Sequence, residues 1–167
     1  MSELTIEDLN RGDRTAFIDV LGGVYEHSPW VAERTWSERP FWSIDDLHDS
    51  MAGTVRSASQ EEKLELLRAH PDLGERTEMT DASEVEQAAA GLDELSPEQY
   101  ETFQRLNESY RERFGFPFII AVSGESPDAI QEAMETRIDH SKSEEFRTAL
   151  KQVDEIARFR LEELLTQ

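Results

Sequence analysis

The sequence contains no cysteine, which excludes disulfides, thiolate nucleophiles and cysteine-ligated zinc. No run approaches 18 consecutive apolar residues, so no transmembrane helix is expected. Residues 1–8 are acidic and carry no apolar core, so no signal peptide is expected. Glycine-rich phosphate loops, dinucleotide-binding fingerprints and nucleophile elbows are missing. His27, His48, His70 and His140 are widely separated and none has a partner four residues on; no zinc helix, and no metal site, is expected. Repeats, linkers and low-complexity tracts are also absent. Lysine is scarce, with Lys63, Lys142 and Lys151 the only three among 17 basic residues.

Carboxylates, by contrast, are plentiful. Thirty-seven Asp and Glu leave a formal net charge of −20. Such a surface repels nucleic acid and anionic membranes, so neither is an expected partner. Many carboxylates beside few lysines suit a protein that works in concentrated salt, where self-repulsion is screened. Disorder is the competing reading of so acidic a chain, and the regular recurrence of apolar and aromatic residues argues against it. At 167 residues the chain can bury the core of one domain.

The pattern along the chain is helical. Thr5, with Asp8 three residues on, opens a short helix, and Asp13 caps a second with Ala16, Phe17, Val20 and Leu21 on one face until Gly22-Gly23. Ser28 before Pro29 reads as a cap with proline at the first helical position, followed by Trp30, Val31 and Trp36 up to Pro40. Ser43 caps a helix with Ile44, Leu47, Met51 and Val55 inward. Ser59 and Glu62 have capping-box spacing, with Leu64 and Leu67 inward. Residues 75–82 read as a polar loop. Ser83 then caps a helix with Val85, Ala88, Ala89 and Leu92 inward. Ser96-Pro97-Glu98-Gln99 is the clearest helix start, and Tyr100, Phe103, Leu106, Tyr110 and Phe114 follow before Gly115. Periodicity does not decide between strand and buried helix for residues 116–122. A lone strand would leave its backbone groups unpaired, so the segment is read as a buried turn running into a helix. Ser126-Pro127 opens a helix with Ile130, Ala133, Met134, Arg137 and Ile138, and Ser143 opens the last, to about Leu165. The expected fold is all-α: a single domain, residues 1–167, of eight or nine mostly short helices.

Three places carry potential chemistry. His70 lies at the end of its helix before Pro71, which disfavours helical backbone in the residue preceding it. Its ring either caps the helix, where C-terminal carbonyls favour the imidazolium, or serves as a rigidly held acid/base. In the last helix Phe146, Leu150, Val153, Ala157 and Leu164 mark the expected buried face, and Arg160 falls on it. A guanidinium aimed at the core meets a carboxylate as a structural ion pair, snorkels, or lines a cavity that holds an anion. Ser83 and Glu86 have capping-box spacing, and a helix N-terminus also binds anions; Gln87 adds an amide that both donates and accepts.

Four motifs then carry a resemblance: His70-Pro71-Asp72-Leu73-Gly74; Ser83-Glu84-Val85-Glu86-Gln87; Phe114-Gly115-Phe116-Pro117-Phe118-Ile119-Ile120-Ala121-Val122; and Glu155-Ile156-Ala157-Arg158-Phe159-Arg160-Leu161. Together, and in this order over about residues 9–165, they resemble the 2-oxo-4-hydroxy-4-carboxy-5-ureidoimidazoline (OHCU) decarboxylases of urate breakdown. The resemblance implies an all-helical decarboxylase that needs no cofactor and gives (S)-allantoin. It implies catalytic roles for His70, Glu86 and Arg160. It places Pro71, Ser83, Glu84, Val85, Gln87, Phe118, Ile119, Ile120, Ala121 and Val122 against the substrate. The partner it implies is a small anionic ureidoimidazoline, in a cytoplasmic enzyme associated in function with urate oxidase and hydroxyisourate hydrolase, and a homodimer is one option. The chain departs from the family in its acidity, in the acidic stretch around Glu75 to Asp81, and in ending Leu165-Thr166-Gln167 without a peroxisomal signal. The alternatives are a helical module that binds a ureide without turning it over, and an acidic adaptor for a basic protein. The adaptor would require a localised acidic patch, whereas the acids here are spread over every segment.

Overall fold

The computed structural model describes residues 4–74 and 81–165. Among these residues there are nine α-helices and one 3-10 turn, and no β-strand element. The helices are α1 (Ile6–Arg11), α2 (Arg14–Leu21), α3 (Trp30–Thr35), α4 (Ile44–Arg56), α5 (Gln60–Arg68), α6 (Asp81–Ala89), α7 (Pro97–Phe114), α8 (Pro127–Arg137) and α9 (Lys142–Leu164). The all-α reading holds. Contacts group the chain into two compact units. The first comprises residues 1–69 and 154–167, the second residues 70–153.

Most helix starts follow from their caps. Thr5 and Asp8, and likewise Ser59 and Glu62, form reciprocal capping boxes. Asp13, Ser43, Ser96 and Ser126 each accept from the amide three residues on, satisfying one of the orphan donors of the first turn. Three expected caps are not used, Ser83 among them because it lies inside α6. Ser28 donates its hydroxyl to the Glu26 carbonyl, and α3 begins without a side-chain cap. The last helix starts one residue before Ser143, with Ser141 accepting from the Glu144 amide.

In the first unit Phe17 is the aromatic centre. Its ring meets Trp36 edge-on at 5.4 Å and stacks on Phe41 at 6.1 Å. Asn10 pins Phe41 by donating to its carbonyl and accepting from its amide, at 2.7 and 2.8 Å. Leu47, Met51, Val55, Leu66 and Leu67 complete the packing. Leu66, not Leu64, pairs with Leu67 as the buried face of α5. The Asp154 carboxylate accepts from the Tyr25 hydroxyl at 3.0 Å. Burial pushes both groups above their ordinary pKa ranges.

In the second unit Tyr110 packs against Phe114, Phe116 and Phe118 at 4.5, 5.9 and 5.3 Å, with Ile130, Met134, Ala149 and Val153 buried around them. The inner stripe of α9 differs from the expected one. Ala149, Val153, Ala157 and Leu161 are buried, whereas Phe146, Leu150 and Leu164 are half-buried flanks. Three charged side chains share the buried set of this helix: Glu145 in the second unit, and Asp154 and Arg160 in the first.

Candidate active site

The turn after α5 is held from three sides. α5 ends at Arg68 with Ala69 as its C-cap, so His70 is the first residue beyond the cap, and it is buried. Downstream of it the Asp72 carboxylate accepts from Arg111 Nε at 2.9 Å, and the Leu73 carbonyl accepts from Asn107 Nδ2 at 3.0 Å. The Gly74 amide donates to Gln87 Oε1 at 3.0 Å. Gly74 has φ +75°, and a Cβ there would lie 2.9 Å from Leu95 Cδ1 and 3.2 Å from Phe103 Cδ2, so any side chain there is strained. Asn107 and Arg111 lie one turn apart on α7 and were not singled out in the sequence. The signal for Asn107 was there: it interrupts the stripe of Phe103, Tyr110 and Phe114 at a core position.

α6 turns a polar face inward. It begins at Asp81, which places Ser83 inside the helix instead of at its cap. Ser83, Gln87 and Ala90, spaced four and three apart, are buried. Val85 is 68% exposed and Glu84, Ala88 and Ala89 are exposed, while Glu86 is half-buried. Of the expected inward residues Leu92, just beyond the helix, is buried, whereas Val85, Ala88 and Ala89 are not, and that part of the expectation is corrected. Two of the inward positions, Ser83 and Gln87, carry groups that can hydrogen-bond, and Gln87 holds the turn that follows His70. The expected loop at residues 75–82 lies mostly outside the described residues, and its last two positions are helical.

The segment after α7 is irregular chain, neither strand nor helix, and the helix expected to follow it begins only at Pro127. Gly115 closes α7 with φ +81°. Phe116, Pro117, Phe118, Ile119 and Val122 are buried, while Ile120 and Ala121 are half-buried. Two side chains grip the backbone of this loop. The Ile119 carbonyl accepts from Arg137 Nη1 at 2.7 Å, and the Ala121 amide donates to Gln152 Oε1 at 2.9 Å. Arg137 also stands over the Phe118 ring, 4.3 Å from its centroid, and its Nε donates to Glu145 Oε1 at 2.9 Å.

Glu145 is fully buried. It also accepts from the Tyr110 hydroxyl at 2.5 Å, and His140 Nδ1 lies 3.0 Å from its other oxygen. Burial, reinforced by this carboxylate, drives the Tyr110 hydroxyl far above its ordinary pKa. Arg137 Nη2 is buried without a hydrogen-bond partner, an arrangement that typically costs about 1–3 kcal/mol.

In the first unit Arg160 is 6% exposed and Glu26 fully buried. Arg160 Nη1 donates to Glu26 Oε1 at 3.0 Å and lies 3.3 Å from the Val24 carbonyl oxygen. Of the readings open to a core-facing guanidinium, the buried ion pair is realised. Its partner was not legible, because Glu26 lies in the irregular segment between α2 and α3.

Comparison with known proteins decides what kind of molecule this is. The family model described as OHCU decarboxylase matches residues 10–162. The chain belongs to the OHCU decarboxylase family. It is 66% identical over 98% of its length to a 2-oxo-4-hydroxy-4-carboxy-5-ureidoimidazoline decarboxylase of Halalkalicoccus jeotgali, covering 93% of that protein. It is 45% identical over 98% of its length to a uric acid degradation bifunctional protein of Bacillus subtilis, of which it covers 33%. Among solved structures it resembles that of (S)-allantoin synthase, with a TM-score of 0.81 and 34% identity over 98% of this chain and 54% of the other. In this OHCU decarboxylase family member the turn at 70–74, the inner face of α6 and the loop at 116–122 all belong to the second unit, and Arg160 belongs to the first.

Proposed function

We propose that this chain catalyses loss of carbon dioxide from OHCU to give (S)-allantoin in urate degradation. The observation that carries this reading is the 66% identity, nearly end to end, to an OHCU decarboxylase. The family match at residues 10–162 spans both units, which supports reading residues 1–167 as one functional domain.

The reacting carbon of the substrate bears a hydroxyl and a carboxylate. Breaking the bond to the carboxylate releases carbon dioxide and leaves an electron pair that the ring takes up as an enolate-like anion. A proton delivered to one face then fixes the configuration of allantoin. Fixed protein dipoles stabilise such an anion without a cofactor. In the proposed site the loop of Phe118, Ile119, Ile120, Ala121 and Val122 lies along the substrate and presents backbone dipoles from a rigid, apolar setting. His70, beside Pro71, carries the proton. Ser83 lines the substrate, Glu86 and Gln87 hold the ureido group, and the oxygen that Gln87 gives to Gly74 leaves its NH2 end to donate. Glu84 and Val85 are exposed, so their part is to carry the helix, not to present side chains. Arg160 supplies a cation to the anionic substrate.

The relatives that join uric acid degradation functions in one protein support functional association with urate oxidase and hydroxyisourate hydrolase. Among the described residues no helix is long and apolar enough to cross a membrane, and a cytoplasmic setting is proposed. A homodimer is the form in which we expect it to be tested first.

The test uses substrate made freshly by urate oxidase and hydroxyisourate hydrolase and followed by circular dichroism. Addition of this protein is expected to speed the appearance of the (S)-allantoin signal. Equal time courses with and without it would favour a ureide-binding module without turnover.

A further inference from the structure

We infer that Arg137 is a positioning residue for decarboxylation: it fixes the backbone of the loop at 118–122 from behind, through the buried carboxylate of Glu145. The inference rests on the reading that this loop lies along the substrate. Arg137 grips the loop at two adjacent points, donating to the Ile119 carbonyl at 2.7 Å and covering the Phe118 ring at 4.3 Å. Its Nε is fixed in turn by Glu145 at 2.9 Å. The carboxylate that orients it is held by the Tyr110 hydroxyl at 2.5 Å. The guanidinium fork thus joins a rigid helix pair to one peptide group of the loop, which a point charge cannot do.

The geometry also separates positioning from direct contact. The two arginine nitrogens that have partners, Nε and Nη1, are committed to Glu145 and to the Ile119 carbonyl, so what they hold is the loop. A second clamp, Gln152 Oε1 on the Ala121 amide at 2.9 Å, acts two residues further along the same loop. Dipoles that stabilise developing charge are effective only when they are already aimed, and a displacement near 1 Å costs about 10²-fold in rate. Releasing Ile119 should therefore slow the chemical step more than it weakens binding.

The experiment compares wild type, Arg137→Lys and the double variant Arg137→Met with Glu145→Gln, using fresh substrate and circular dichroism. Lysine keeps a positive charge opposite Glu145 but cannot bond it and Ile119 together. The double variant removes both charges, so no carboxylate is stranded. The expected result is a fall in kcat of about 10²-fold in both, with KM changed less than about threefold and native helicity. Wild-type kcat in Arg137→Lys would show that the ion pair alone suffices and would overturn the inference. Failure of both variants to fold would make Arg137 a determinant of the fold and would also overturn it. An inactive wild type would overturn the decarboxylase reading itself, and the inference with it; an active wild type beside unimpaired variants overturns the inference alone.

Discussion

His70 is buried at the first position beyond the α5 cap, on a turn that Gln87, Asn107 and Arg111 hold in place. Substitution to asparagine keeps a polar side chain and removes proton exchange near neutral pH. His70→Asn is expected to lower kcat by at least about 10²-fold, the lower end for losing an acid/base group, with melting temperature and helicity unchanged. Undiminished kcat in a folded variant would reassign the ring to capping α5. Arg160 calls for a different experiment, because it is one half of a buried pair with Glu26. Arg160→Met removes the guanidinium from that buried carboxylate and is expected to cost about 3–5 kcal/mol in urea unfolding. Arg160→Met combined with Glu26→Leu replaces the pair by apolar groups and should recover most of that loss. If Arg160 also binds the substrate, the double variant should hold an anionic product analogue more weakly by roughly 2–5 kcal/mol; normal affinity in a stable double variant would confine Arg160 to the fold.

At the scale of elements, the turn at 70–74 and α6 form one device. Gly74→Ala forces a side chain into left-handed backbone against Leu95 and Phe103 and is expected to destabilise by about 1–3 kcal/mol. Gln87→Leu leaves the Gly74 amide unpaired and should cost about 1–3 kcal/mol. Val85→Ser, on the exposed side of the same helix, should stay within about 0.5 kcal/mol. These contrasts, measured by urea denaturation, would collapse if Val85 faced inward. They also mark where the sequence was readable. Caps are local, so Thr5, Asp13, Ser43, Ser59, Ser96 and Ser126 were legible at once. Helix faces depend on what lies opposite, and apolarity misled there. α6 turns Ser83 and Gln87 inward because Gln87 has a turn to hold. α9 centres on Ala149 and Ala157 because small side chains suit the inner line while Phe146, Leu150 and Leu164 pack from its flanks. His70 and Arg160 were found because each broke a local rule. Glu26, Asn107, Glu145 and Gln152 were not singled out, because their roles come from partners distant in sequence, although Asn107 at a core position was a signal available to be read.

For the molecule as a whole, the net charge of −20 makes ionic strength a stability variable. The carboxylates are distributed along the chain, and at roughly 1 M salt the screening length falls to about 3 Å, against about 30 Å at 0.01 M. The thermal midpoint is expected to rise steadily from low to molar salt, and a midpoint indifferent to salt would assign the acidity another purpose. The charges buried on α9 respond less to salt, because burial shields them from most of the solvent. In the first unit Asp154 meets the Tyr25 hydroxyl and Arg160 meets Glu26, six residues apart on one helix. Apolar stripes tolerate a slip by one turn, since the next leucine or alanine fills the vacated place. A slip of one turn moves a helical side chain 5.4 Å, which would break both of these contacts together. The pair of them therefore works as a vernier: each misaligned docking of that half of the helix breaks two buried polar contacts at once, and it is this penalty on the wrong registers, more than the depth of the right one, that makes the native alignment unique.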